Sequence, residues 1–289
     1  MNDTTPSSPR ACTLSIAGIG LTLLSADAAL IEQLRRNYHA FLADGPARLV
    51  AKVQTDQLPG ATDQLPADAT RLPEAAALPI TIFRAGVLHF TRPGSTGFID
   101  LDRDTGELSI TSTQPFEDAD YFVRAAYALL AFRAGGLLFH AAGIARHGRG
   151  YLFFGKSGSG KTTISRLTRG SPSHSIILND DLVLLLPHGG AWQLYATPFS
   201  NPTQFAPSGP HDVKLSQMYR LVQSRRVFIE AMPRSQAIAE IVASAPIVST
   251  DPGRAIALLS RAEQLEQAVP VRRLHFLPDD SFWQVIGSE

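Results

Sequence analysis

The chain has 289 residues, 44% of them hydrophobic, enough for one large or two modest domains with buried cores. Lys+Arg 26 and Asp+Glu 26 cancel, so no basic field draws nucleic acid or an anionic membrane surface, and no run nears the ~18 apolar residues of a membrane span. A single cysteine, Cys12, excludes an intrachain disulfide framework and fits a reducing, cytoplasmic compartment.

Residues 1–9, rich in Thr, Ser and Pro, are expected to be disordered. Residues 12–24 are mildly apolar, but Gly18, Gly20 and several Thr and Ser residues interrupt them, which favours a strand or hairpin over a signal peptide. Ser25 is suited to N-cap a helix running to about Leu42, with Leu30, Leu34, Tyr38 and Phe41 on one face. Residues 54–79 are punctuated by proline and carry Asp-Gln-Leu-Pro twice, at 56–59 and 63–66. Two copies make no repeat architecture, and the stretch reads as a long surface loop. Strands are predicted at 80–83, 87–90, 97–100 and 108–111, with His89 an ordinary strand residue. Asp100, Asp102 and Asp104 mimic the start of a calcium loop, yet Gly106 comes one residue late and Thr111 stands where a bidentate Glu is required. A hairpin turn is predicted instead.

The pattern then changes. Tyr121, Phe122, Ala125, Leu129 and Phe132 recur at helical spacing from Phe116 up to Gly135 and Gly136, a natural stop. The domain boundary falls before this helix, giving a smaller N-terminal α/β domain over 1–115 and a second domain over 116–289. Residues 137–145 and 150–154 read as two strands around His147, Gly148 and Arg149, a hairpin that leads into a glycine-rich stretch.

Gly155, Lys156, Ser157, Gly158, Ser159, Gly160, Lys161 and Thr162 satisfy G-x-x-x-x-G-K-[ST] at every fixed position, after an aromatic strand and before a short helix that opens with Thr163 and stops at Gly170. Glycines let successive backbone N–H groups turn inward around phosphate oxygens. The Lys161 ammonium neutralises charge between the β- and γ-phosphates of a nucleotide, and the Thr162 hydroxyl reaches Mg²⁺. The stretch from 155 through Thr163 is therefore the candidate binding loop for ATP with Mg²⁺.

A buried-strand candidate at 175–178 ends in Asn179, Asp180 and Asp181, and residues 182–186 continue the apolar run. At a strand end beside a phosphate loop, one carboxylate can hold Mg²⁺ and the other can take the proton of an attacking hydroxyl. Shikimate-type small-molecule kinases follow such an acidic motif with a helix. Here a strand and a turn at 187–190 come next, which points to another P-loop class.

With His140-Ala141-Ala142-Gly143 ahead of the hairpin, the phosphate loop, Asp180 and Asp181, Thr197-Pro198-Phe199, residues 269–274 and Phe282-Trp283, the chain resembles the HPr kinase family, in the larger group that includes ATP-dependent phosphoenolpyruvate carboxykinase. The resemblance covers roughly 135–286. It implies an α/β fold with a P-loop kinase core of that type and an ATP-dependent kinase acting on a serine of a peptide or protein. It also implies His140 near the transferred phosphate, Lys161 and Asp180 in catalysis with Asp180 as base, and Asp181 with Thr162 on the metal. The Gly/Arg-rich loop that serves the family's reverse phosphorylase reaction is not recognisable, and the chain looks more like stand-alone relatives in peptide modification, such as lasso-peptide kinases. A small-molecule kinase and a regulatory, slowly hydrolysing nucleotide-binding protein are the alternatives, and homo-oligomer formation stays open.

His147, His174, His188 and His211 read as ordinary strand or loop residues. Residues 201–212, rich in Pro and Gly, read as a loop able to act as a lid. Arg220, Arg225 and Arg226 flank Gln223-Ser224 and read as solvated charges of a hairpin. Residues 254–268 read as a helix, 271–277 as a strand, and Phe282 with Trp283 as core.

Overall fold

Buried and half-buried residues alternate along β1 (Arg10–Ile16) and the second half of β2 (Ile19–Ser25), which are joined by Ala17 and Gly18 at φ 54° and 75°. Positive φ at both turn residues matches the right-handed twist of the strands, so the chain returns on itself as a hairpin. The computed structural model describes residues 9–55, 80–170, 175–199 and 209–287. Most of the disordered-tail expectation (1–8), residues 56–79 of the Pro-punctuated stretch, His174, and residues 201–208 of the proposed lid lie outside the described residues. The chain divides into two compact units, one built mainly on residues up to Ala126 and the other on residues from Tyr127 onward, with Ser15–Ile19 grouped with the second.

The first unit carries a seven-stranded sheet in the order β1-β2-β3-β7-β6-β5-β4, with β3 (Leu49–Thr55), β4 (Ile80–Arg84), β5 (Val87–Arg92), β6 (Ser95–Asp100) and β7 (Thr105–Ile110). β3 is parallel to both β2 and β7, and a parallel neighbour needs a crossover. Helix α1 (Ala28–Asn37) supplies it, burying Leu30, Ile31 and Leu34. Its N-cap is Asp27, not the expected Ser25: the Asp27 carboxylate accepts from the Ala29 and Leu30 amides at 2.9 and 3.0 Å, while Ser25 closes β2 and accepts from the Asp27 amide at 3.2 Å. The helix also stops short of Leu42, at Asn37, with a 3₁₀ turn over His39–Phe41. The calcium-loop mimic is a hairpin turn: Asp100 Oδ1 accepts from the Asp102 and Arg103 amides at 3.0 and 3.1 Å, and Asp100 pairs with Thr105 across the ladder.

Cys12 is buried in β1, and burial pushes its thiol from the ordinary 9.0 up to about 11, against a smaller opposing pull from Arg35. The unfolded chain therefore releases this proton near pH 9 and the folded chain does not until about 11. The folded-state advantage is fully present below pH 9 and is lost as pH rises to 11, by about 2–3 kcal/mol. Urea unfolding of wild type and Cys12→Ala at pH 8 and pH 11 should show a steeper loss in wild type. Equal losses would contradict it.

Helix α2 (Pro115–Arg133) ends where expected, with the Gly136 amide bonded to Ala131 O at 2.8 Å and the Gly135 amide to Phe132 O at 3.1 Å. In the second unit β8 (Leu137–Arg146) and β9 (Arg149–Phe154) form the predicted hairpin around His147 and Gly148. Helix α3 (Lys161–Gly170), β10 (Ser175–Asn179), β11 (Leu182–His188), β12 (Ala191–Tyr195), β13 (Asp212–Gln223), β14 (Phe228–Ala231), α4 (Arg234–Ala243), α5 (Ala255–Ala268), β15 (Val271–Phe276) and α6 (Phe282–Gly287) complete it. β8 is a fork. Its first half, 137–140, pairs with β11, and its second half pairs with β9 on one side and β10 on the other. β9, β13 and β15 are parallel neighbours, so their carboxyl ends share one edge. Behind them Phe153, Tyr219, Leu274, Phe282 and Trp283 form one core with Ile164 of α3, which bears out Phe282 and Trp283 as core residues. β13 and β14 are no hairpin, because β15 lies between them; Arg220 sits inside β13 with its side chain largely buried, not solvated.

Candidate functional site

The glycine-rich loop leaves the carboxyl end of β9 and enters α3 at Lys161. Gly160 has φ 111°, and a Cβ there would lie 2.4 Å from Phe276 Cζ at the end of β15, so both backbone conformation and space require glycine. The Ser159 amide bonds to Lys156 O at 3.0 Å, and Gln223 Nε2 at the end of β13 donates to Gly158 O at 2.8 Å. The loop thus rests on the ends of all three parallel strands. The first amides of α3 have no partner further back in the helix and point outward, the arrangement that favours an anion at a helix start.

Lys161 is 8% exposed, and its Nζ donates to Gly155 O at 3.1 Å. Its pKa is lowered chiefly by burial; Asp181 opposes that shift, Arg220 adds to it, and Asp180 opposes it. The site therefore holds a cation at some cost while unliganded, which an incoming anion would offset.

The register of the fork brings the remaining groups here. Ala141 on β8 pairs with Phe154, the last residue of β9, and His140 pairs with Leu182 at the start of β11. The bend between β10 and β11, which carries Asp180 and Asp181, is pinned by the fully buried Asn179. Its amide donates to Thr197 O and Phe199 O at 3.1 and 2.7 Å, and its Oδ1 accepts from the Asp181 and Leu182 amides at 2.7 and 3.0 Å. Asp181 O accepts from the Ala141 amide at 2.9 Å, and His140 Nε2 lies 3.2 Å from Asp181 Oδ1.

A cleft of about 450 Å³ is bounded by His140, Lys161, Thr162, Thr163, Asp181 and Gln223, together with Ser157, Gly158 and Gly160 of the loop. Among the predicted site residues, Gly155, Lys156, Ser159 and Asp180 do not line it. Asp180 is 0% exposed, and Lys156 is exposed. Among the described residues no group of three or more His, Cys, Asp or Glu forms a ready metal site. Gln223, Phe276 and the anchoring role of Asn179 were missed. A glutamine or asparagine at a strand end carries no signal until the strands are placed, whereas the apolar neighbours of Arg220 in β13, Met218, Tyr219, Leu221 and Val222, could have signalled a paired, buried charge in place of the solvated one read from the sequence.

Fold and site together define a mixed α/β protein with two β-sheets, whose second unit carries a strand, glycine-rich loop and helix under an Asp-Asp bend. The family model for ScmC, described as SynChlorMet cassette protein ScmC, matches residues 122–287, more than half of the chain, and the chain belongs to that family. Over part of its length it is also similar to a solved structure, the Hpr(Ser) kinase/phosphatase from Coxiella burnetii, at 15% identity and TM-score 0.25, covering 44% of this chain and 87% of that one. No curated protein matches. Among the described residues no helix is long and apolar enough to cross a membrane.

Proposed function

We propose that the second unit is a Mg·ATP-dependent kinase that phosphorylates a serine hydroxyl of a peptide or protein. The observation that carries this reading is the convergence of Lys161, Thr162, Asp181 and His140 on one cleft at the carboxyl ends of parallel strands. The residues present fit a nucleotide phosphate: the loop from Gly155 to Thr163 has no room for a side chain at Gly160, and a buried ammonium stands beside it. Thr162 and Asp181 fit Mg²⁺, which keeps several waters and takes one or two protein oxygens plus substrate phosphate. Bound Mg·ATP supplies the activated phosphoryl group. Lys161 and the loop amides hold and neutralise the phosphates, Asp181 orients His140 beside them, and Asp180 accepts the proton of the acceptor hydroxyl. Because Asp180 is fully buried and does not line the cleft, its role as base requires the hydroxyl to reach beyond the cleft lining; otherwise the two carboxylates exchange roles.

The serine acceptor follows from the resemblance to HPr kinase. The family description names a cassette, so peptides and proteins encoded beside the chain are the first acceptors to test. Incubation with γ-labelled ATP, Mg²⁺ and these peptides, read by mass spectrometry, should add one phosphate to serine. Phosphorylation of a free metabolite with no transfer to any peptide would favour a small-molecule kinase. ATP turnover indifferent to every acceptor would favour a slowly hydrolysing regulatory protein.

A further inference from the structure

The cleft does not account for a second layer of charge beneath it. Across the parallel strands Arg220 pairs in register with Phe154 on β9 and with Arg273 on β15, so two guanidinium groups stand side by side on neighbouring strands. Like charges placed directly across a ladder repel. Helix α4 answers both from residues one turn apart: Glu240 Oε2 accepts from Arg220 Nε at 2.9 Å, and Gln236 Oε1 accepts from Arg273, whose other arm meets Glu230 at 2.5 Å. The Arg220 side chain is 12% exposed. Its Nη1 donates to Leu221 O at 2.6 Å and also lies 2.6 Å from where a Cβ on Gly155 would stand. The guanidinium therefore fills the space at the neck of the glycine loop that any larger residue at 155 would need. The same helix ends at Ser244, whose carbonyl accepts the His140 amide at 2.8 Å.

We propose that Arg220, clamped by Glu240, is a positioning residue of the phosphate site: it backs the loop at Gly155, and α4 ties that support to His140 through Ser244. The role in a phosphate site rests on the proposed kinase function, but the bracket belongs to the unliganded chain and can be tested without nucleotide.

Amide hydrogen exchange of the unliganded protein should quicken roughly tenfold at Ser159 and His140 in both Arg220→Gln and Glu240→Gln, with β9 amides such as Leu152 unchanged. Arg220→Lys, which keeps the charge, should restore most of the protection. Titration with Mg·ATP should then show roughly tenfold weaker binding by Arg220→Gln than by wild type, and recovery to within about threefold by Arg220→Lys. A general loss of stability would quicken β9 together with the loop and would not be rescued by lysine. If Arg220→Gln does not fold, Glu240→Gln decides through the same two amides. Unchanged exchange at Ser159 and His140 would overturn the bracket. A wild type that binds no Mg·ATP would overturn the phosphate reading and leave the bracket to the exchange result.

Discussion

Lys161→Ala is expected to lose Mg·ATP affinity or turnover by roughly 10²-fold or more while its thermal midpoint stays level or rises. The first half follows from charge: the Nζ is the buried cation of the cleft, and a charge-assisted contact to phosphate in a partly desolvated site has no substitute in an alanine methyl. The second half follows from the direction of its pKa. Burial disfavours the ammonium more than Asp181 and Asp180 favour it, so the folded chain holds this charge at a cost. The unfolded chain, titrating at the ordinary 10.5, binds the proton more tightly, and the site's contribution to stability rises with pH between the depressed value and 10.5. The alanine variant should lack that rise. Calorimetric titration with Mg·ATP and thermal unfolding at neutral and alkaline pH check both halves. Equal affinity and turnover in the two proteins would remove the phosphate-loop assignment, and a large drop in midpoint would mean that Lys161 is structural.

Asp180→Asn should keep Mg·ATP binding and lose acceptor phosphorylation by about 10²–10⁴-fold, because an amide cannot take the hydroxyl proton. Asp181→Asn should instead raise the Mg²⁺ concentration needed for half-maximal turnover. The Asn179 side chain and the Ala141 amide hold the bend through main-chain atoms of Asp181 and Leu182, so both exchanges keep these bonds. Geometry sharpens the comparison. Asp181 lines the cleft and lies 3.2 Å from His140, whereas Asp180 is fully buried. If the acceptor hydroxyl reaches only the outer carboxylate, the two phenotypes swap. Magnesium titrations of acceptor phosphorylation with both variants distinguish the outcomes, and wild-type behaviour in both would take the pair out of the mechanism.

The local features were legible because their causes lie within a few residues. Alternation marked strands such as β7 and continuous apolar runs marked β9 and β11, pairs of turn residues with positive φ set the hairpins at 17–18, 85–86, 147–148 and 189–190, and the spacing of Gly155, Gly160 and Lys161 acts through the backbone of one loop and the first turn of one helix; β3, paired on both sides within its sheet, was not read from the sequence. The helix after β2 shows how local reasoning slips: Ser25 and Asp27 are both good caps, and the choice went to Asp27 because Ser25 is still extended as the last residue of β2. What the sequence by itself determined is therefore the list of chemical groups, namely the glycine-rich loop with its lysine, the paired carboxylates and the strand bearing His140. The tertiary structure decided which of them meet. The fork in β8 set His140 opposite the start of β11 and Ala141 opposite the end of β9, and at the bend anchored by Asn179, held by carbonyls from 197 and 199, Asp181 lines the cleft while Asp180 is buried and does not. Register across β9, β13 and β15 placed Arg220, Gln223 and Phe276 against the loop from far along the chain. No propensity or spacing encodes those encounters, because they depend on which strands become neighbours, and that is settled by burial of the shared core around Phe153, Tyr219 and Leu274.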